Sequence, residues 1–164
     1  MSIAHETIEI LPLTAEMRRW AAGVLAEHWG SERVVTRGHA YRADTLPGFI
    51  ARIGGEPMGL ITYTIEGRSC EIVTLNSLQE GSGIGTRLLE AVDRSARAAH
   101  CTRMWLITTN DNLPALRFYQ RRGFTISAVY PNAVAESRRL KPEIPLIGIG
   151  GIPVRDEIEM ERWL

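Results

Sequence analysis

The sequence predicts a mixed α/β (α+β) fold, with a mostly antiparallel central sheet of about seven strands flanked by helices. Three observations carry this. Alternating apolar runs separated by glycine-rich turns crowd the stretch 48–76, as consecutive antiparallel strands do. Two stripes of helical period, over 83–99 and 112–122, each follow a strand-like run. The chain closes on a strict alternation, with Ile158 and Met160 set against Glu157, Glu159 and Glu161.

The elements follow in order. Residues 7–11 read as the first strand, and Thr14 then caps a helix whose apolar face runs Met17, Trp20, Ala21, Val24, Leu25, His28. His28 is read as a packed or partly exposed histidine without a chemical role. Residues 30–45 lack periodicity and read as loop or a short irregular helix, with Arg33, Arg37, His39, Arg42 and Asp44 on a solvated surface. Strands at 48–53 and 58–65 are joined by the Gly54-Gly55-Glu56-Pro57 turn, and Glu66-Gly67-Arg68 leads into a strand at 69–76. The next helix, 83–99, carries Ile84, Leu88, Leu89, Val92, Ala96 and Ala99 on one stripe. A buried strand at 103–108 precedes a helix at 112–122, capped by Asn112, with Pro114 in its first turn and Gly123 as its stop. Strands at 124–130 and 155–163 finish the sheet. The long connection between them is rich in proline and glycine.

Length and composition bound the rest. A chain of 164 residues, 45% of them apolar, suits one domain over 1–164 with one continuous core. Lysine plus arginine, 19, balance aspartate plus glutamate, 19, so no global field draws the chain to nucleic acid or an anionic membrane. Neither is expected as a partner, and any phosphate binding must be local. Cys70 and Cys101 match neither a disulfide framework nor metal-ligand spacing, which points to a reduced, cytoplasmic setting and to no metal. His5, Glu6 and Glu9 interrupt the first ten residues, unlike a secretory signal. The longest apolar stretch, 144–154, is short and broken by prolines and glycines, so it reads as a loop.

The chemistry concentrates at 71–87, a strand, a tight turn and a helix start. Glycines at 81, 83 and 85 remove side chains where backbone N–H groups approach an anion, and the helix dipole adds partial positive charge there. Alone, such a triplet also serves tight turns that bind nothing. The usual nucleotide motifs fit badly: the spacing is G-x-G-x-G, no acidic residue follows on a next parallel strand, and no Gly-Lys-Ser/Thr supplies a phosphate lysine.

Two ordered motifs give a specific resemblance. Glu80-Gly81-Ser82-Gly83-Ile84-Gly85-Thr86-Arg87-Leu88-Leu89 is followed, one helix and strand later, by 110–124, which includes Asn112-Leu113-Pro114-Ala115-Leu116-Arg117-Phe118-Tyr119 and Gly123-Phe124. Together they resemble the GNAT superfamily of N-acetyltransferases, most specifically over 71–124. The resemblance implies acetyl-CoA as co-substrate, its pyrophosphate held by backbone amides of Glu80, Gly81, Ser82, Gly83, Ile84, Gly85 and Thr86, with Arg87 as a further phosphate contact. It also implies cofactor contacts at Val73, Leu75, Asn76, Asn112, Ala115 and Tyr119. Gly83 and Gly85 match the family pattern, while Glu80 stands where the family carries Gln or Arg. A carboxylate turned inward there would repel phosphate, so its side chain is expected to face solvent.

Direct acetyl transfer to a primary amine asks for a neutral amine, a polarised thioester carbonyl and a proton for the departing thiolate. Tyr119 matches the family tyrosine that faces the coenzyme sulfur and is the candidate general acid; its other reading is packing of a helix on the sheet. Glu71 is the candidate base, or else a strand glutamate reaching solvent, and alternation sets it with Val73 and Leu75, opposite Ile72 and Thr74. A family-like bulge near Leu75 and Asn76 would aim backbone N–H groups at the carbonyl. Asn112 has helix capping as its second reading, and Arg117, Arg121 and Arg122 read as surface. The acceptor, a small-molecule amine or a peptide or protein amine, is expected between the loop after the first helix and the connection 131–154. Arg138, Arg139 and Lys141 there either attract an anionic acceptor or are solvated. A non-catalytic module that senses acyl-CoA is the alternative function, and an exposed Trp163-Leu164 end is compatible with a homodimer.

Overall fold

The computed structural model describes residues 6–164. Its main sheet has seven strands in the order β1 (Ile8–Pro12), β4 (Gly48–Ile53), β5 (Glu56–Glu66), β6 (Ser69–Ser77), β7 (Arg103–Thr109), β9 (Glu157–Trp163), β8 (Thr125–Tyr130). Every pairing in it is antiparallel except β6 with β7. The helices are α1 (Arg18–Trp29), α2 (Ile84–Ala98), α3 (Leu113–Gln120) and α4 (Val134–Leu140). No helix among the described residues is long and apolar enough to cross a membrane.

The sheet separates two apolar layers. On one side α2 lays Leu88, Leu89 and Val92 over Ile61, Ile72, Met104 and Met160, with Phe124 and Tyr119 closing the end of the layer. The stripe at i, i+4, i+5 and i+8 fits a helix seated on a twisted sheet. On the other side α1 sets Ala21, Val24 and Leu25 against Ile50, Leu60 and Val73. Gly59 on β5 allows the first turn of α2 to approach: a Cβ there would lie 2.4 Å from Ile84 Cγ2. The β4–β5 turn needs only Gly54 and Gly55, at φ +58° and +84°, so β5 begins at Glu56.

Four sequence expectations change. Residues 30–45, expected as loop or irregular helix, form a second two-stranded sheet, β2 (Arg33–Thr36) and β3 (His39–Arg42), followed by a 3₁₀ turn at Ala43–Thr45. Burial of Val34 and Val35 holds this hairpin, and its two-residue turn puts Arg37 at φ +48° and Gly38 at φ +74°. Thr14 makes no side-chain cap; a 3₁₀ turn at Ala15–Met17 leads into α1 instead. The connection 131–154 contains α4, which buries Val134 and Ser137. At the C-terminus Trp163 is 66% exposed, but Leu164 packs on the core and its N–H donates to the Thr102 carbonyl at 2.9 Å.

Because Gly59 sets the seat of α2, Gly59→Ala is expected to lower unfolding free energy by about 1–3 kcal/mol through overpacking. Urea denaturation checks this, and an unchanged midpoint and slope would show that α2 is seated otherwise.

Candidate active site

The site begins where two strands part. β6 and β7 pair in parallel for three residues only, Ser69 with Arg103, Cys70 with Met104, and Glu71 with Trp105. Beyond Glu71 they separate, and the gap becomes a cleft of about 290 Å³ walled by Ile72 to Leu75 on β6 and by Leu106 to Thr108 on β7. A bulge accompanies the separation. Thr62 pairs with Thr74 and Tyr63 with Ile72, leaving Val73 as the extra residue. The bulge therefore lies two residues before the expected Leu75–Asn76 position. It also changes the alternation, because an inserted residue reverses the faces beyond it. Val73 keeps the α1 side, but Leu75 pairs with Ile61 and joins Ile72 on the α2 side, so Leu75 does not share a face with Glu71.

The turn after β6 closes one end of the cleft. Ser77 Oγ and Ser82 Oγ both donate to the Gln79 carbonyl, at 2.9 and 2.7 Å, fixing the loop. Gly81 and Gly83 take φ +72° and +85°, which side chains disfavour, and Gly83 hands over to α2. The first helical bond is Arg87 N–H to the Gly83 carbonyl, so the amides of Glu80 to Thr86 have no backbone acceptor among the described residues. These are the orphan donors of a helix start, gathered at its positive end. Glu80 and Arg87 are exposed. Gly85 allows α3 to close in, since a Cβ there would lie 3.0 Å from the Phe118 ring.

Arg122, expected at the surface, is a strut. Its guanidinium donates to Thr86 Oγ1 at 2.6 Å and to the Phe118 carbonyl at 2.8 Å, and lies 3.7 Å from the Phe118 ring centroid. That ties the start of α2 to the end of α3. At the start of α3, Asn112 Oδ1 accepts from the Ala115 N–H at 3.2 Å, leaving its Nδ2 free of protein partners among the described residues. Capping and ligand contact therefore use different atoms of one side chain. Tyr119 lines the cleft and its hydroxyl has no protein partner among the described residues; burial holds the phenol above its ordinary pKa. Of the sequence-predicted residues, Val73, Leu75, Glu80, Gly85, Asn112, Ala115 and Tyr119 line the cleft. Asn76 instead accepts from Trp29 Nε1 at 3.0 Å, and Ile84 is buried beneath α2.

A second cavity, of about 310 Å³, adjoins the cleft and shares Trp29, Ile107, Thr108 and Asn112 with it. Its other walls come from the hairpin (Val34, Val35, Thr36), from α4 and from the following loop, the two segments expected to build an acceptor site. His28, given no role from sequence, also lines it. The basic residues of the connection are committed elsewhere. Lys141, the only lysine in the chain, is buried and donates to the Trp29 and Arg33 carbonyls, and burial lowers its pKa. Arg138 donates to the carbonyls of Ile144, Pro145 and Val154. Arg139 is exposed.

Glu71 sits at the apex of the gap, 4% exposed. Tyr41 Oη donates to one of its oxygens at 2.8 Å and Thr36 Oγ1 to the other at 3.4 Å. Glu71 itself lines neither the cleft nor the second cavity but a separate recess beside Thr64, Arg103 and Trp105; only its partner Thr36 borders the second cavity. Burial raises its pKa above the usual carboxylate range, and the Tyr41 and Thr36 hydrogen bonds offset part of the rise. The sequence reading missed Thr36, Tyr41 and Glu157 because the hairpin that gathers them was not recognised. The Arg-Gly pair between two short β-branched or aromatic runs was its signal.

Comparison with known proteins agrees with this architecture. The chain matches the acetyltransferase (GNAT) family over residues 14–124. It is 48% identical to the uncharacterized protein YdhI of Bacillus subtilis (strain 168) over 150 residues, 91% of this chain and 94% of that one. Its fold superposes on an IAA acetyltransferase from Bacillus cereus ATCC 14579 with a TM-score of 0.76 at 21% identity, covering 96% of this chain and all of the other. It also superposes on a GNAT family acetyltransferase from Elizabethkingia anophelis with acetyl-CoA bound, with a TM-score of 0.67 at 20% identity, covering 96% and 98%. At those identities the structures show a shared fold alone. The family match over two thirds of the chain, on a sheet that parts between β6 and β7, means that this protein belongs to the GNAT acetyltransferase family.

Proposed function

We propose that the protein is an N-acetyltransferase that moves the acetyl group of acetyl-CoA directly to a primary amine. The observation that carries this reading is the pair of adjoining spaces. One ends at a helix start whose amides are unspent, and the other is bordered by buried carboxylates.

The unpaired amides of Glu80 to Thr86 suit a pyrophosphate, with the exposed Glu80 carboxylate at the cleft rim screened by water. Val73, Leu75, Asn112 Nδ2 and Ala115 would border the arm of the coenzyme. Acetyl-CoA supplies an activated acyl thioester. The protein's own groups then handle protons. An alkyl amine has a reference pKa of about 10.4 and is mostly protonated at neutral pH, so a proton must be removed before attack. Glu71 takes that role through the Thr36 hydroxyl, which stands between it and the second cavity. Tyr119 Oη, free of protein partners, holds the proton for the departing thiolate.

Three outcomes test the reading. Saturating CoA or acetyl-CoA should raise the melting temperature, with about 2.7 kcal/mol of added stability at a hundredfold excess over Kd. No shift with either would remove the coenzyme from the cleft. Tyr119→Phe should lower kcat by about 10²–10⁴ with little change in KM for acetyl-CoA; full activity would remove Tyr119 from the chemistry. A base works only when deprotonated, so the rate should climb with pH through the raised pKa of Glu71. Glu71→Gln should flatten that limb, and an unaltered profile would assign the proton elsewhere.

A further inference from the structure

The second cavity contains a buried carboxyl group that no protein cation pairs among the described residues. Glu157 is 2% exposed and lines the wall, and no ion pair among the described residues includes it. One carboxylate oxygen accepts from Ser137 Oγ at 2.6 Å and the other from the Arg37 backbone N–H at 3.0 Å. Both donors are neutral, and a carboxylate offers about four lone-pair sites, so half of its capacity is unspent. Charged side chains nearby do not compensate. Lys141 is committed to two carbonyls, and the Arg37 guanidinium lies over the Tyr130 ring, 3.5 Å from its centroid. A second wall carboxylate, Asp111, is also buried and is held by Thr109 Oγ1 and the Ile149 N–H rather than by a cation. Burying such a charge is costly unless something positive meets it.

The position of Glu157 indicates what that cation is. Glu157 pairs with Thr109, the last residue of β7, whereas the cavity and the cleft share Ile107 and Thr108. A strand advances about 3.3 Å per residue, so Glu157 lies roughly 3–7 Å beyond the shared wall. The reacting nitrogen must be neutral and must sit at the shared wall. The charge at Glu157 therefore belongs to a different group of the same molecule. At about 310 Å³ the cavity is near the lower end of ligand pockets, ~300–1,000 Å³, so that molecule is compact.

Resting on the acetyl-transfer reading, we infer that the acceptor is a compact aliphatic amine carrying a second positive charge, and that Glu157 binds that charge. The test uses three acceptors of matched length: 1,4-diaminobutane, butylamine and 4-aminobutanoate. With the wild-type protein, kcat/KM should favour the diamine over butylamine by about 10- to 100-fold, the value of one charge-assisted hydrogen bond, with the anionic acceptor poorest. Glu157→Gln should remove most of that advantage through KM for the diamine, with a far smaller change for butylamine and KM for acetyl-CoA unaltered. Glu157→Asp, which keeps the charge, should restore part of the preference. In the presence of CoA, 1,4-diaminobutane should raise the melting temperature of the wild type but not of Glu157→Gln. Acetylation without charge preference, or a preference that survives Glu157→Gln, would overturn this inference alone. If no amine is acetylated, the acetyl-transfer reading falls and this inference with it.

Discussion

The separation of β6 from β7 after Glu71 is the constraint on which the rest depends. Both strands are secured on their outer sides, β6 by β5 along nearly its whole length and β7 by β9 over seven paired residues. Neither can swing across to close the gap. The bulge at Val73 bends β6 just beyond the last parallel pair, which converts the end of pairing into a wedge. Sheets rarely leave inner edges unpaired, because each free N–H and C=O forgoes a hydrogen bond. An opening of this kind favours an extended ligand with amide groups along its length, since such a ligand pairs with a strand edge as another strand would.

Charge is divided across the opening. On the α2 side stands a helix start with unspent N–H donors, and the Arg122 guanidinium on Thr86 adds to its positive end. On the hairpin side stand Glu71, Glu157 and Asp111, all buried. The basic residues nearest to that side, Lys141 and Arg138, are bonded to backbone carbonyls and so act as ties between α4, the end of α1 and the following loop. The sequence left them either as attraction for an anionic acceptor or as solvated residues; their geometry makes them structural.

The sheet, the succession of its main elements along the chain and the glycine turn were legible in the sequence because each rests on local pattern. Alternation marks β4 to β6, helical period marks α2, and the Asn112 cap with Pro114 marks α3. The features that escaped depend on tertiary contacts. β2 and β3 have four residues each, too few for alternation to show, and they are held by burial of Val34 and Val35. Arg122 looks like any arginine at a helix end until Thr86 is placed beside it. The bulge at Val73 leaves no trace in β-branched composition, and a reading that carries strict alternation through it assigns Leu75 to the wrong side.

The hairpin that the sequence hid also links the two carboxylates of the site. Thr36 reaches Glu71 on β6, and the next residue, Arg37, reaches Glu157 on β9 through its backbone N–H. Arg37 must hold φ +48° to do so, a conformation that costs a non-glycine residue about 1–2 kcal/mol. Tyr130 offsets this by receiving the guanidinium over its ring, and Tyr41 adds a second bond from the same hairpin to Glu71. One small element therefore forms a wall of the second cavity and spans the strands on either side of β7. A shift of the hairpin would move Thr36 from Glu71 and the Arg37 amide from Glu157 together. The two carboxylates are thus mechanically coupled, because adjacent residues of a single turn contact both groups.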